Sequence, residues 1–261
     1  MRVIAVLNSK SGSGKTTTAV HLAAGIAKRG IRTLLVDMDP RGQVAFSLGM
    51  NAHELPHTMS TVIDRRCRLA EAIVPLTDTF HVAPAVDDLS LAEYELRGKY
   101  HREDRLRDAL ATVAASYAYA VVDCAAHLGD LSINALAAAD EVLIPTTPDS
   151  YALQAIEPFL ATLASITAEL NPTCAILGIL PTRVTRTGNA WTVVEAAHEG
   201  FGGGVRIFDR TIPESVKFWE AASLGVTVYA HAPDSPGAAA YHELAQDVVR
   251  GYAGLIPLPH R

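Results

Sequence analysis

The stretch Lys10-Ser11-Gly12-Ser13-Gly14-Lys15-Thr16-Thr17 brings glycines, hydroxyls and lysines together in an order that suits a polyphosphate. Gly12 and Gly14 allow the backbone to curl until several N–H groups face inward. Those donors, with the N-terminus of a helix behind them, make an anion site. Lys15 would reach the β- and γ-phosphates, and the Thr16 hydroxyl would take one position on Mg2+. Ser11, Gly12, Ser13, Gly14, Lys15, Thr16 and Thr17 are therefore candidate nucleotide-binding residues, with ATP and Mg2+ as the expected ligands. A glycine-rich turn with no ligand would have no use for Lys-Thr in this register. The common form of such a loop, GxxxxGK[ST], puts glycine at position 9. Here Ser9 stands there, and Lys10 follows it.

Acids at two further places could serve the same ligand. Val36-Asp37-Met38-Asp39-Pro40 ends an apolar run with two carboxylates, and Ala120-Val121-Val122-Asp123 ends another with one. In doubly wound sheets ligands bind just beyond the carboxyl ends of the strands. An acid there can orient a water toward the γ-phosphate, or stand near Mg2+, often through water. Asp39 and Asp123, with Thr16, are the candidate metal-site residues; Asp39 and Lys15 are candidate catalytic residues. The competing reading of Asp39-Pro40 is an ordinary turn initiator.

A phosphate loop needs a strand before it and a helix after it. Residues 3–7 are a short apolar run, and residues 15–29 carry Val20, Ala23, Ala24 and Ala27 at helical spacing, closed by Gly30. The alternation continues: strands are expected at 33–36, 80–83, 120–124, 141–145 and 175–180, with two more at 205–208 and 227–229. Helices are expected at 89–96, 104–116, 131–138, 152–169, 189–199, 213–223 and 238–252. This pattern predicts an α/β fold of the P-loop NTPase type, a single domain over residues 1–261. Its sheet is mostly parallel and twisted, with helices on both faces. No internal repeat, low-complexity tract or linker interrupts it.

Residues 8–18 resemble the deviant Walker A motif, commonly KGGxGKTT, of the ParA/MinD ATPases. The resemblance implies that Lys10 reaches across a nucleotide-sandwich dimer to the partner's phosphates, which adds Lys10 to the nucleotide-binding and catalytic candidates. A cation supplied in trans would stabilise charge on the transferring phosphoryl group. Residues 37–43 are similar to the family's DxDPQGN, with Arg41 in place of glutamine and Gln43 in place of asparagine. That likeness gives Asp39 the attacking water and Asp37 a supporting place beside Mg2+. Asp123-Cys124-Ala125-Ala126-His127-Leu128-Gly129 resembles DCPPSLG without its prolines, with His127 in the serine position; the histidine reads as a polar loop residue. Thr211-Ile212-Pro213-Glu214-Ser215-Val216-Lys217 resembles TxIPRNVR, which makes Pro213 a candidate contact for the base. No aromatic platform for adenine is evident. Further matches at 132–145, 151–154, 220–225 and 238–246 extend the likeness along nearly the whole chain and favour the ParA branch over MinD.

Composition bounds the partners. The chain of 261 residues has a formal net charge of −6 and is 49% apolar. Bulk positive charge for coating nucleic acid is absent, so DNA binding would need a local patch. ParA relatives bind DNA without sequence preference as ATP dimers. The corresponding candidates here are Arg183, Arg186, Arg206, Arg210 and Lys217, diluted by Glu195, Glu199 and Asp209 and by Glu214, where the family has arginine. A charge-mixed solvated surface is the alternative for these residues, and also for the runs 65–68 and 102–108. Cys67, Cys124 and Cys174 form no CxxC pair, so neither zinc nor a disulfide framework is expected. No apolar run reaches the roughly 18 residues of a membrane span, and the Pro- and Gly-rich end does not suit a membrane-binding helix. The resemblance implies a slow ATPase, cytoplasmic in a bacterium and nucleoid-associated. It would form an ATP-dependent homodimer and position a plasmid, chromosome or protein assembly with a ParB-like or other adaptor. One rival is a nucleotide-binding regulator or adaptor that hardly hydrolyses ATP and acts on a protein or membrane matrix. The other is a metabolic P-loop enzyme, which would need a small-substrate site.

Overall fold

The computed structural model describes residues 1–185, 206–251 and 256–257. Its strands are β1 (Arg2–Val6), β2 (Thr33–Met38), β3 (Val74–Pro75), β4 (Phe80–Ala83), β5 (Tyr119–Cys124), β6 (Glu141–Thr146), β7 (Ala175–Pro181) and β8 (Ile256–Pro257). They make one sheet in the order β3-β4-β2-β5-β1-β6-β7-β8. The strands from β4 to β7 are parallel, and the short edges β3 and β8 pair antiparallel. Parallel strands are covered on both faces and so carry apolar residues on both. Accordingly β2, β6 and β7 are buried at every position.

The helices are α1 (Lys15–Ala27), α2 (Gln43–Ser47), α3 (Met59–Ile63), α4 (Leu69–Ala72), α5 (Leu89–Leu96), α6 (Arg105–Ala111), α7 (Asp130–Ala138), α8 (Ser150–Leu170), α9 (Val216–Ser223), α10 (Val228–His231) and α11 (Pro236–Arg250). Two apolar cores sandwich the sheet. Leu34, Val36, Val122 and Ile144 face a core closed by α3 to α8. Ile4, Val6, Leu35 and Val121 face the other, closed by α1, α10 and α11. The second layer is tight. A Cβ on Gly25 of α1 would lie 2.6 Å from the Tyr229 hydroxyl and 2.9 Å from the Ala245 methyl, so only glycine lets α11 approach this closely. The registers Val6↔Asp123 and Asp37↔Asp123 align the carboxyl ends of β1, β2 and β5. Strand order reverses about β1, with β5 and β2 on one side and β6 and β7 on the other. The loop after β1 therefore sits at the switch point where such sheets bind ligands.

Several expectations need correction. A strand is expected at residues 227–229, but Val228 opens helix α10 instead. The reason is tertiary: the Val228 N–H donates to His21 Nε2 at 2.9 Å, which supplies a partner to a helix N-terminus that has none of its own. The helix expected from residue 213 starts at Val216, because the Ser215 hydroxyl caps it and Pro213 pairs with Val184 in an isolated bridge. The segment expected as residues 104–116 breaks into a 3-10 turn, α6 and another 3-10 turn. Of the strand expected at 205–208, Ile207 makes one parallel bridge to Ile179, and residue 205 lies outside the described residues. The helix expected at 189–199 also lies outside them. Helices α2, α3 and α4 and edge strands β3 and β8 carried no readable pattern, being two to five residues long.

Candidate nucleotide-binding site

The loop between β1 and α1 has the backbone its glycines suggested. Gly12 and Gly14 have φ of 75° and 86°, in the left-handed region, and Gly14 sits at the N-cap of α1. The buried Asn8 fixes the start of the loop. Its amide donates to the Pro145 carbonyl at 2.8 Å, and its oxygen accepts from the Lys10 N–H at 2.9 Å. The Thr182 hydroxyl donates to the Ser13 carbonyl at 2.7 Å and holds the middle of the loop against the end of β7. The roles of Asn8 and Thr182 were missed in the sequence: Asn8 opens the motif-like stretch 8–18 but had no role assigned, and Thr182 lies in no motif.

The two lysines of the loop are held differently. Lys15 is buried, and its Nζ donates to the Lys10 carbonyl at 3.1 Å. Burial pulls its pKa down, opposed by the negative charge of Asp123. Lys10 Nζ instead reaches Thr147 at 3.0 Å and Asp149 at 2.5 Å, just past β6, and its side chain is 39% exposed.

The acids form the floor. Asp37, Asp39 and Asp123 are all buried. Asp37 accepts from the Asp39 and Val44 N–H groups, yet burial and the charge of Asp123 push its carboxyl well up. Both Asp123 oxygens are buried and make no hydrogen bond of ordinary geometry, although the Thr16 hydroxyl stands close by. Burial raises this carboxyl, and the neighbouring Thr16 hydroxyl and Lys15 ammonium oppose the rise. A buried carboxylate left so is costly unless a cation joins it. The donor set fits Mg2+: Thr16 and Asp123 offer hard oxygen ligands at the phosphate loop. Asp39 is different. Arg41 donates to it from Nη2 at 2.6 Å, from Nε at 3.1 and 3.2 Å, and from its backbone N–H at 3.0 Å. Burial works to raise the Asp39 pKa, but these bonds and the arginine charge overcome it and hold the carboxyl below its ordinary range.

A cleft of about 460 Å³ opens beside Lys15, Thr16 and Arg41, the residues next to these acids. Gly12, Gly14, Lys15, Thr16 and Thr17 line it, as do Thr182 and Arg183 and the segment Ile212-Pro213-Glu214-Ser215, so Pro213 stands on the wall where a base contact was expected. Aromatic side chains line it too: Phe46, Phe218, Trp219 and Tyr241. Only Tyr241 lies in a stretch with a family likeness, 238–246, and nothing in the sequence placed any of the four at the cleft. Behind the loop, His21 of α1 stacks on Tyr241 with centroids 5.2 Å apart and meets Phe218 edge-on at 5.4 Å. Its Nδ1 faces the Thr17 carbonyl at 2.7 Å, and its Nε2 accepts from Val228. Those two partners require the neutral ring with the proton on Nδ1, and burial lowers its pKa to about 4.

The basic candidates for DNA are dispersed. Arg183 lines the nucleotide cleft and pairs with Glu214 at 2.8 Å. Arg210 is held by Asp247 at 2.8 Å and by Glu243, both on α11, and Lys217 by Glu220 at 2.7 Å. The Arg206 guanidinium lies 4.3 Å over the Phe208 ring. Arg186 lies outside the described residues. His127 points its ring at Glu93, 3.5 Å away. Cys67, Cys124 and Cys174 are free thiols.

The comparisons agree with this geometry. A family model described as an AAA domain matches residues 1–176. The chain is 40% identical to the chromosome-partitioning ATPase Soj of Thermus thermophilus over 95% of its own length and 96% of that protein's. It is 38% identical to the chromosome partitioning protein ParA of Myxococcus xanthus, over 95% and 88% respectively. Among solved structures it is similar to cobyrinic acid a,c-diamide synthase of Mycobacterium smegmatis with bound ATP analogue and magnesium. That match has a TM-score of 0.85, 30% identity and all of both chains covered. A left-handed phosphate loop carrying two lysines, a buried acid at the end of β5 and full-length likeness to Soj and ParA lead to one assignment: this chain belongs to the ParA/MinD family of P-loop ATPases.

Proposed function

We propose that the protein is a slow ATPase that closes as a homodimer around two ATP molecules, binds DNA without sequence preference in that state, and so positions a cargo. The observation that carries this reading is the contrast between the two lysines. Lys15 is turned into its own loop, whereas Lys10 is drawn aside to Thr147 and Asp149 with its side chain half exposed. A cation placed there is open to a second subunit's phosphates. Thr16 and Asp123 would hold Mg2+, which, when bound, neutralises charge on the β- and γ-phosphates. Lys15 binds the phosphates, the curled loop N–H groups orient them, and Asp39 positions the attacking water. Such a protein would work in the bacterial cytoplasm and on the nucleoid, with a separate adaptor naming its cargo. No helix among the described residues is long and apolar enough to cross a membrane.

DNA co-sedimentation with ATP, with ADP and without nucleotide, on wild type and Lys10→Ala, tests the reading. Binding by wild type with ATP alone, released by salt, supports it; absence of binding in every state removes DNA from the proposal. A second reading, a regulator that binds ATP and hardly turns it over, is favoured by the full engagement of Asp39 by Arg41. ATP turnover with and without DNA separates the two. The diamide synthase likeness raises a third, an enzyme of small-molecule metabolism. Turnover that requires a carboxylic acid and a nitrogen donor in place of DNA would establish it.

A further inference from the structure

We propose that Arg41 is a positioning residue that keeps Asp39 from orienting water until a polyphosphate in the cleft draws the guanidinium away. This rests on the ATPase reading above and names a control built into that site.

The geometry begins in the backbone. The Gly42 N–H donates to the Asp39 carbonyl at 3.0 Å, closing a turn over Asp39-Pro40-Arg41-Gly42. Proline pre-sets the second position of that turn. Gly42 has φ of 60°, and a Cβ there would lie 2.8 Å from the Ala85 carbonyl, so the neighbouring chain pins the turn. In such a turn the aspartate side chain accepts from the backbone N–H two residues on, which sets Arg41 beside the Asp39 carboxylate. Arg41 consequently meets Asp39 with its side chain and its own N–H, and between them they take both carboxylate oxygens.

A water aimed at phosphorus must donate a hydrogen bond to an oxygen that is free on the reacting side. Three N–H groups of Arg41 occupy most of the roughly four acceptor positions of Asp39 and reach both of its oxygens, so little of the carboxylate is left for a water while Arg41 stays. The two partners are unequally held. The Asp39 side chain is 3% exposed and that of Arg41 is 55% exposed, so any movement belongs to the arginine. Arg41 also lines the nucleotide cleft with Lys15 and Thr16. A polyphosphate there offers the planar guanidinium pairs of oxygens for bidentate bonding, with higher charge than a single carboxylate. A bound polyphosphate would thus compete with Asp39 for the guanidinium and free the acid in about one ATP-bound molecule in ten, whereas without nucleotide the acid stays sequestered.

The test compares wild type, Arg41→Gln, Arg41→Lys, Asp39→Asn and the double variant. It measures single-turnover ATP hydrolysis at saturating Mg-ATP, ATP affinity by titration, and melting temperature to confirm folding. Glutamine keeps the stem length and removes the charged fork. The expected result is a rise of about tenfold in the rate constant for Arg41→Gln, with affinity changed by less than about threefold, since one charge-assisted restraint is lost. Arg41→Lys, a point charge without the fork, falls between wild type and Arg41→Gln. The double variant drops to the Asp39→Asn rate, because the gain runs through Asp39. An Arg41→Gln rate equal to or below wild type, with Asp39→Asn still slow, overturns this inference and leaves the ATPase reading standing. An Asp39→Asn rate equal to wild type overturns the role of Asp39 itself, and the inference with it.

Discussion

The floor and the rim of the cleft treat charge in opposite ways. On the floor, Asp37, Asp123 and Lys15 are buried, and neither Asp123 oxygen makes a hydrogen bond of ordinary geometry. On the rim Arg183 holds Glu214, and outside the cleft lining Arg210 and Lys217 each hold an acid of the same chain. Exposed pairs of this kind contribute little to stability, whereas an unpartnered buried carboxylate costs stability outright. Such a carboxylate at the end of β5, paired in register with the buried Asp37 of β2, marks the place where a cation would be most stabilising.

The largest test of that contrast is Lys15→Ala. Removing a buried ammonium aimed at the loop should weaken Mg-ATP binding by at least about a hundredfold, or about 3 kcal/mol, in a calorimetric titration. Melting of the ligand-free protein should change far less. Affinity within a few-fold of wild type would show that the backbone cradle alone binds the phosphates.

His21 sharpens the contrast, because it is buried as deeply as Asp123 but has both ring nitrogens partnered. Its pKa is about 4 in the fold, against 6.5 for an ordinary histidine. Since the folded value is the depressed one, the unfolded chain takes the proton first on acidification. The contribution of His21 is complete above about pH 6.5 and is lost as pH falls toward 4, by up to about 3 kcal/mol. Urea unfolding at pH 7.0 and 4.5 would measure it. His21→Asn should lose less stability than wild type between those two pH values. An equal loss in both would move the acid sensitivity to other groups.

Much of the floor was legible in the sequence, and little of its support was. Gly12, Gly14, Lys15 and Thr16 could be read because phosphate binding requires those residue types in one contiguous order. Asp39 and Asp123 could be read because each ends an apolar run, and parallel strands deliver their last residues to one edge. Asn8, Thr182 and the aromatic wall of Phe46, Phe218, Trp219 and Tyr241 converge from separate elements, and no local spacing records that. The fold followed the same division. Strands β2, β4 and β5 announced themselves as apolar runs. Helix α10 did not, because its β-branched start obeys a hydrogen bond to His21 more than 200 residues away.

Asp123→Asn would break the comparison from the other side. It keeps shape and removes the buried charge, so the ligand-free protein should become more stable by about 1 kcal/mol at pH 8 in urea unfolding. Stabilisation by Mg-ATP, measured as the rise in melting temperature, should disappear. A destabilised ligand-free variant would mean that the Asp123 charge is already offset by Lys15 without a metal.

The smallest expected effect lies on the rim. Arg183 and Glu214 are both about half exposed, at 56% and 48% of their side chains, so Glu214→Gln should change stability by less than about 1 kcal/mol. Its consequence is electrostatic. The substitution frees one positive charge at the mouth of the cleft, on a chain whose formal net charge is −6. If the ATP-bound protein meets DNA on this side, affinity should rise a few-fold, and the plot of log affinity against log salt should steepen by about one counterion. An unchanged slope would mean that DNA, where it binds, does not reach Arg183, and the search for its contacts would move away from the cleft mouth toward Arg206 and Arg210.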